Sequence, residues 1–246
     1  MNMFDISGKR AIITGASRGL GYGMAQALGE AGAKLAIISS SERVYSAADE
    51  LGAHAVRADL GDMAQLERSF DEALGALGGV DILVNCAGMT RRHPSEEFPM
   101  EDWQRILDVN LTATFRLCQL AGREMLKTGH GKIINVASML SFFGGWTVPA
   151  YAASKGGVAQ LTKALSDEWA GRGINVNAIA PGYMATEINV SLREDPVRNN
   201  EILMRIPAGR WGNADDLKGI TVFLSSPASD YVSGAVIPVD GGYLAR

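Results

Sequence analysis

The feature that most constrains this chain is a regular alternation of short apolar runs with longer segments of helical periodicity. Some of the runs, such as Ile82-Leu83-Val84, are apolar at every position and not at every second one. This pattern is typical of parallel strands that helices cover on both faces. Strands are predicted at residues 10–14, 34–38, 53–58, 80–85, 132–137, 174–180 and 235–239, and helices at 21–31, 62–77, 102–127, 151–171 and 214–224.

The alternation predicts an α/β fold with a Rossmann-like, doubly wound parallel sheet of about seven strands and helices on both faces. Hydrophobic residues make up 47% of the 246 positions, which is enough for a large core. No linker or composition break is visible, so residues 1–246 are predicted to form a single dinucleotide-binding and catalytic domain. The segment around 183–210 interrupts the alternation. It is predicted to be a substrate flap, with a surface insertion as the alternative.

Composition excludes several other classes of function. The formal net charge is −4 and no basic block is present, so nucleic acid is not an expected partner. No apolar run approaches the ~20 residues of a membrane span, and residues 1–10 lack a signal-peptide core, so a cytoplasmic location is expected.

The cysteines and histidines do not predict a metal site. Cys86 and Cys118 are expected to be free thiols in a reducing cytosol, although the sequence leaves a disulfide between them open. His54, His93 and His130 share no ligand spacing, which disfavours a metalloenzyme.

A glycine-rich segment, Thr14-Gly15-Ala16-Ser17-Arg18-Gly19-Leu20-Gly21, joins the first predicted strand to the first predicted helix. Glycines permit a tight turn and close backbone approach, and the helix N-terminus presents free N–H groups to a pyrophosphate. The spacing differs from Gly-x-Gly-x-x-Gly. The next strand ends are predicted to complete the cofactor site through Asp59 and Leu60, which face an adenine edge, and through Asn85, Ala87 and Gly88, which leave room for a flat ring.

Tyr151 and Lys155 lie four positions apart on a predicted helix, so they share one face. A free tyrosine has a pKa of ~10, and a neighbouring ammonium is expected to lower it. Ser138, at the end of the fifth strand, is expected to donate to a substrate oxygen, and Asn110 to anchor a water beside the lysine. A Tyr–Lys pair at this spacing is also common on ordinary amphipathic helices, and only the convergence of four such groups at one edge of the sheet favours catalysis.

Together these residues resemble the short-chain dehydrogenase/reductase family over essentially the whole chain. The matching motifs are Thr-Gly-x-x-x-Gly-x-Gly at 14–21, Asn-x-Ala-Gly at 85–88, Asn110, Ser138, Tyr-x-x-x-Lys at 151–155, and Pro181-Gly182 followed by Thr186. Cys86 stands where the family more often has a second asparagine.

The resemblance implies an oxidoreductase that interconverts a secondary alcohol and a ketone. It implies that Tyr151 is the general acid/base, that Lys155 binds the nicotinamide ribose and lowers the tyrosine pKa, that Ser138 orients the carbonyl, and that Asn110 supports a relay water. It also implies a homotetramer, or sometimes a dimer, built through helices 102–127 and 151–171. The cofactor contacts it implies are Gly15, Ser17, Arg18, Gly19, Leu20, Gly21, Ser39, Ser40, Asp59, Leu60, Asn85, Ala87, Gly88, Tyr151, Lys155, Pro181, Gly182, Met184 and Thr186.

Further segments resemble a sugar-acid subgroup of that family, which acts on hexonates such as 2-keto-3-deoxygluconate and, more distantly, gluconate. These segments are 90–92, 138–145, 180–186, 206–212, 228–232 and 240–246. A sugar acid needs a cationic partner for its carboxylate, and Arg91, Arg92 and Arg210 are the candidates beside Ser138 and Tyr151. Each arginine has an alternative role as a surface residue or in a subunit contact.

The end of the second strand bears on the choice of nicotinamide cofactor. Selectivity for NAD usually rests on a carboxylate there, whereas this chain has Ser39, Ser40 and Ser41, with Arg18 and Arg43 as partners for a 2′-phosphate. NADP(H) is therefore predicted to be slightly preferred over NAD(H), although the sugar-acid subgroup commonly favours NAD(H). Glu42 would serve NAD(H) instead if the turn directed it inward.

Two other functions fit the same fold. A reductase of 3-oxoacyl thioesters shares the catalytic residues, but it needs a basic surface for an acidic carrier protein, and none is evident in the sequence. A non-catalytic, cofactor-binding regulator is the second alternative, since fold does not imply function. The complete set of Tyr, Lys, Ser and Asn favours an enzyme over a regulator.

Overall fold

The computed structural model describes residues 2–245, and within them the chain forms a seven-stranded sheet. The strands are β1 (Arg10–Thr14), β2 (Lys34–Ser39), β3 (His54–Arg57), β4 (Ile82–Asn85), β5 (Gly131–Val136), β6 (Ile174–Pro181) and β7 (Val236–Val239). Their spatial order is β3-β2-β1-β4-β5-β6-β7. Every neighbouring pair is parallel. The predicted doubly wound parallel sheet is confirmed.

Helices cover both faces of this sheet. They are α1 (Gly19–Glu30), α2 (Arg43–Leu51), α3 (Met63–Leu77), α4 (Met100–Leu107), α5 (Ala113–Thr128), α6 (Pro149–Trp169), α7 (Val190–Glu194), α8 (Pro196–Leu203) and α9 (Lys218–Ser225). Side chains from α3, α5 and α6 pack on one face of the sheet, and those from α1, α2 and α9 pack on the other.

The continuous apolar runs are explained by this double cover. Successive strand residues point to opposite faces: Ile12 packs in the cluster that contains Phe70, whereas Ile13 packs in the cluster that contains Met24. None of these four side chains is more than 1% exposed. The inner positions of the central strands therefore meet a helix on both faces of the sheet, and a polar residue there needs a hydrogen-bond partner in place of water.

The strand order reverses between β1 and β4, which places a cleft at the carboxyl ends of the central strands. Thr14, the last residue of β1, is in register with Asn85, the last residue of β4. The segments that follow β1, β4, β5 and β6 leave the sheet at this same edge because all the strands run in one direction. Ligands of open α/β sheets bind at such a switch point.

The structure differs from the predicted helices in three places. The predicted helix 102–127 is α4 and α5 joined by a π-helical turn at Asp108–Thr112. Helix α2 was not predicted because its start was assigned to the cofactor loop and it has few large apolar residues. Segment 183–210 is more ordered than its weak periodicity indicated, since it contains both α7 and α8.

No helix within residues 2–245 is long and apolar enough to cross a membrane. Arg246, the last residue of the C-terminal segment that resembles the sugar-acid subgroup, lies outside the described residues.

Candidate active site

Ser138, Tyr151 and Lys155 come together where β5 and α6 meet. Ser138 follows the end of β5, and Tyr151 lies in the first turn of α6, whose Pro149 suits a helix N-terminus because it needs no N–H partner. The two elements are tied by Ser141, whose hydroxyl donates to the Lys155 carbonyl at 2.7 Å. The Ser138 side chain accepts from the Leu140 amide at 3.1 Å, which holds the turn after β5. These two hydrogen bonds hold Ser138 and the helix that carries Tyr151 and Lys155 together, so the three residues predicted from sequence lie close to one another.

Lys155 is buried to an unusual degree for an amine, with 4% of the residue exposed. Its Nζ donates to the Val136 carbonyl at 2.6 Å and lies 5.8 Å from the centroid of the Tyr151 ring. Burial lowers the pKa of Lys155 from 10.5 to about 8, because the charged form loses its hydration. The ammonium is therefore positioned beside the phenol, at a cost in stability that a structural lysine would not need.

The pKa of Tyr151 corrects the sequence expectation. The neighbouring ammonium was expected to lower it, but burial outweighs the other influences and raises it above the usual value of 10. A hydrogen bond with Ser138 acts in the opposite direction, because it stabilises the phenolate. The protonated phenol is consequently the resting form near neutral pH, and it is ready to donate a proton.

Asn110 lies in the π-helical turn and is fully buried. Its side chain accepts from the Met89 amide at 2.8 Å and donates to the Met89 carbonyl at 2.9 Å and to Ser154 at 3.0 Å. The Asn110 side chain therefore clamps the segment after β4 against α6. The expected role of Asn110 as a water anchor stays a prediction, since Oδ1 accepts one of these bonds and an amide oxygen can accept a second.

The turn after β1, which we call the phosphate turn (residues 15–19), is shaped to receive a diphosphate. Gly15 has φ of +69°, and a Cβ there would lie 2.8 Å from the Cα of Ala87. A Cβ on Gly21 would clash with the Gly15 carbonyl. Arg18 precedes α1 and makes no side-chain capping bond, so the first N–H groups of the helix stay free of a side-chain acceptor. Close glycine packing and an uncapped helix start both fit a pyrophosphate.

Thr14 connects this turn to the one after β4. Its hydroxyl accepts from the amides of Cys86 and Ala87, both at 3.1 Å. The next residue, Gly88, lies against the catalytic groups, since a Cβ there would be 3.4 Å from Asn110 Oδ1 and 3.7 Å from Lys155 Nζ. Small residues thus line the path from the phosphate turn to Lys155, which fits a flat ring against the backbone.

Asn85 does not face this path. Its Nδ2 donates to Asn135 Oδ1 at 2.9 Å and to Cys118 Sγ at 3.3 Å within the core. The Asn85 side chain therefore points into a buried amide network, and the cofactor contact at this position, which falls to its backbone, stays a prediction. Both Cys86 and Cys118 are free thiols.

Two further strand ends carry predicted cofactor residues. After β3, the Asp59 carboxylate pairs with Arg105 of α4, with both oxygens 2.7 Å from Nη2, and Leu60 is buried. After β6, the Gly182 amide donates to the Val239 carbonyl at 2.9 Å and Met184 is buried. Thr186 reaches back to the phosphate turn, because its Cγ2 lies 3.9 Å from a Cβ placed on Gly19.

The end of β2 has a different charge arrangement from the one expected. Ser39 is hydrogen bonded to Ser17 at 2.9 Å, whereas Ser40 is exposed. Glu42 pairs with Arg57 at 2.8 Å and its side chain is 78% exposed, so the inward orientation that would serve NAD(H) is not adopted. An acidic residue that is distant in sequence, Glu187, pairs with Arg18 and Arg43 beside this strand end. No sequence pattern links it to this place, because it lies far along the chain.

The three candidate arginines are not equivalent. Arg210 forms a two-pronged ion pair with Asp216, at 2.8 and 2.7 Å, so its guanidinium is already neutralised. Arg91 lies 3.9 Å from Asp102. Arg92 is exposed and forms no ion pair within residues 2–245. The structure thus leaves Arg92 as the predicted arginine with most freedom to meet a carboxylate.

A cavity of about 570 Å³ opens beside the segment that was predicted to be a flap. It is lined by Tyr183, Arg198, Glu201, Ile202, Met204 and Arg205. Tyr183 and Met139, the residue after Ser138, belong to one apolar cluster. Segment 183–210 therefore borders the turn that follows Ser138, and its role as a substrate flap stays a prediction. No group of three or more potential metal ligands occurs within residues 2–245.

Known proteins resemble this chain along its length. A family model described as enoyl-(acyl carrier protein) reductase matches residues 15–244. The 2-dehydro-3-deoxy-D-gluconate 5-dehydrogenase of Bacillus subtilis (strain 168) is 51% identical over 248 residues, which is 99% of this chain and 97% of that protein.

Two solved structures are similar in both fold and sequence. One, from Beutenbergia cavernae, carries the provisional name NAD(P)-dependent gluconate 5-dehydrogenase and has NADP bound at low occupancy. It has a TM-score of 0.96 and 46% identity and covers 100% of each chain. The other is a gluconate 5-dehydrogenase from Burkholderia cenocepacia J2315 in complex with NADP and tartrate. It has a TM-score of 0.92 and 41% identity and covers 100% of this chain and 98% of that one.

Proposed function

The chain belongs to the short-chain dehydrogenase/reductase family, and on that premise we propose that it transfers hydride between NAD(P)(H) and a hexonate of the 2-dehydro-3-deoxy-D-gluconate type. The resemblance to the family and to its sugar-acid members is confirmed, and the chain is an oxidoreductase. One observation carries the proposal: the Tyr151 phenol has Ser138 hydrogen bonded to its oxygen and the Lys155 ammonium beside its ring.

The residues of the site account for the proton half of the reaction. When bound, a nicotinamide supplies the acceptor or donor of the hydride. In oxidation, the Tyr151 oxygen takes the proton of the substrate hydroxyl as the C–H bond breaks, and in reduction it returns that proton to the carbonyl oxygen. Ser138 donates to the same substrate oxygen. The Lys155 charge, 5.8 Å from the ring centroid, stabilises the phenolate, which is the form of Tyr151 before it takes the proton in oxidation and after it gives the proton in reduction.

We propose that the residues predicted from sequence to contact the cofactor bind the dinucleotide between the turn after β1 and Lys155. We propose that the uncapped start of α1 binds the pyrophosphate, that Gly88 and Lys155 face the nicotinamide ribose, and that Thr186 covers the phosphates. NADP(H) is proposed to be slightly preferred over NAD(H). The support for this is the outward Glu42 together with the serines after β2 and the arginines Arg18 and Arg43, which follow β1 and β2.

A spectrophotometric panel at 340 nm tests the proposed reaction. It crosses NADH and NADPH with 2-dehydro-3-deoxygluconate-type keto acids, 5-keto-gluconate and acetoacetyl thioesters. We expect turnover with at least one keto sugar acid and a kcat/KM for it at least tenfold above that for the thioesters. Faster turnover of the thioesters would favour the 3-oxoacyl reductase, and tight cofactor binding without turnover would favour a regulator.

Arg92 is the residue we propose for the substrate carboxylate. Replacing it by alanine is expected to raise KM for a keto sugar acid by about ten- to a hundredfold, since a charge-assisted pair is worth about 1.5–3 kcal/mol. The KM for a ketone without a carboxylate should stay within about twofold. Arg123→Ala, at an exposed position on α5, is the matched control. An unchanged KM for every sugar acid would exclude Arg92.

We further propose that residues 1–246 act as one catalytic domain with a substrate flap at 183–210, in a cytoplasmic homotetramer. The exposed Phe115 on α5, with 43% of its surface accessible, supports a subunit contact along that helix. Light scattering coupled to size-exclusion chromatography tests the assembly, and a monomeric mass would exclude it.

A further inference from the structure

A cluster of three charged residues lies beside the phosphate turn, at the end of the proposed cofactor site that is farther from Lys155. Arg18 of the phosphate turn and Arg43 at the start of α2 both pair with the carboxylate of Glu187. Arg43 Nη1 lies 3.1 Å from Oε1, while Arg18 Nη1 binds the other oxygen, Oε2. The partners are 169 and 144 positions away from Glu187, so the fold alone brings them together.

The two arginines lie near the expected position of the adenosine ribose, whose 2′ substituent distinguishes NADP(H) from NAD(H). They follow β1 and β2, at the turn that meets the adenosine ribose in this kind of sheet. Two guanidinium groups from separate elements provide several N–H donors for a phosphate monoester, which carries up to two negative charges. In the structure a carboxylate already engages both of them.

Glu187 reaches this point from the far side of the cleft. It follows Thr186, which lies beside Gly19 of the phosphate turn. The other acidic side chain near the end of β2, Glu42, is directed to Arg57 and not to the arginine pair. Within residues 2–245, Glu187 is thus the only carboxylate paired with Arg18 or Arg43.

We propose that Glu187 is a specificity-determining residue that competes with the ribose 2′-phosphate of NADP(H) for Arg18 and Arg43. A 2′-phosphate cannot share the two guanidinium groups with a carboxylate without like-charge repulsion, so NADP(H) must displace Glu187. NAD(H) carries a hydroxyl there and leaves the cluster intact. The inference rests on the proposed function only in requiring that the chain binds a nicotinamide dinucleotide.

This competition sets how strongly the chain discriminates between the cofactors. The serines and arginines after β1 and β2 attract a 2′-phosphate, and Glu187 offsets part of that attraction. The cluster is half exposed, with the three side chains 55–61% accessible, so solvent screens each pair and limits the effect. A narrow preference for NADP(H) follows.

Direct binding measurements with Glu187→Gln test the proposal without relying on turnover. The dissociation constants of NADPH and NADH are measured by nicotinamide fluorescence at fixed ionic strength. The amide keeps the size of the side chain and removes its charge, so the Kd of NADPH should fall about three- to tenfold, whereas the Kd of NADH should stay within about twofold or rise. Glu194→Gln, an exposed position on α7, makes the same change in net charge and should alter neither constant by more than about 1.5-fold.

The results separate the two proposals. Equal tightening of both cofactors, weaker NADPH binding, or an identical effect of Glu194→Gln would overturn the role of Glu187 while leaving the oxidoreductase proposal standing. Wild-type protein that binds neither dinucleotide would overturn both. The comparison can be repeated with nicotinamide-free probes, 2′,5′-ADP and ADP, each of which competes with the bound dinucleotide. Only 2′,5′-ADP, which carries the 2′-phosphate, should bind more tightly to the variant than to the wild type.

Discussion

Replacing Tyr151 by phenylalanine is expected to lower kcat about 10²- to 10⁴-fold, the usual contribution of a positioned general acid/base. The phenol oxygen is the atom that we propose exchanges the proton, and Ser138 is hydrogen bonded to it. Steady-state kinetics at 340 nm measure the change. KM should stay within a few-fold, because the ring that shapes the site is retained.

The same variant tests the pH dependence of the reaction. Since burial raises the pKa of Tyr151 above 10, the phenolate fraction, and with it the rate of alcohol oxidation, should increase as the pH rises. The residual activity of the phenylalanine variant should lack that increase. Tyr231→Phe, at a fully exposed position, is the control and should leave kcat unchanged. A Tyr151→Phe enzyme with near-normal kcat would assign the proton transfer to another group.

Replacing Lys155 by methionine should reduce activity while stabilising the cofactor-free protein. Loss of the charge beside the phenol is expected to lower kcat about 10²- to 10³-fold. Burial lowers the pKa of Lys155 from 10.5 to about 8. Each pKa unit is worth about 1.4 kcal/mol, so the buried charge costs roughly 3 kcal/mol at neutral pH. Methionine removes this cost but leaves the Val136 carbonyl without its donor, for a net gain of about 1–2 kcal/mol.

The stabilisation has a defined pH window. Between pH 8 and pH 10.5 the unfolded chain keeps the lysine proton and the folded chain has lost it, so the stability of the wild-type protein rises with pH in that range. The advantage of Lys155→Met should thus be present at pH 7 and smaller at pH 9.5. Urea unfolding at both values measures it. Lys163→Met, at an exposed position on the same helix, should show neither effect. A stability difference between variant and wild type that is the same at both pH values would show that the lysine is not held at a lowered pKa.

Most of the fold was predictable because it follows from the burial of the strands. All seven predicted strands are present, with ends that differ by up to two residues. A continuous apolar run predicts a buried strand, since both of its faces must be covered by helices. The π-helical turn at Asp108–Thr112 had no such signal, because a one-residue expansion of a helix barely disturbs its apolar periodicity.

The site was predictable to a smaller extent. Motif spacing placed Ser138, Tyr151 and Lys155 correctly, since neighbouring elements of regular length carry them. The partners of individual side chains were harder. Arg210 was a candidate for the substrate, yet Asp216, six positions further on, holds it in an ion pair. Asn85 was assigned to the cofactor, but its amide turns into the core.

The sequence by itself determined the parallel sheet, the glycine-rich turn after β1 and the residue types that we propose move a proton. These depend on local pattern, namely which residues are apolar, where glycines stand and which side chains ionise. Only the tertiary structure decided that burial raises the pKa of Tyr151 despite the nearby Lys155, and that Glu187 reaches the arginines of the phosphate turn. Electrostatic energies depend on distance and on exclusion of water, and both are set by segments that are far apart in the chain and meet only when the sheet is formed.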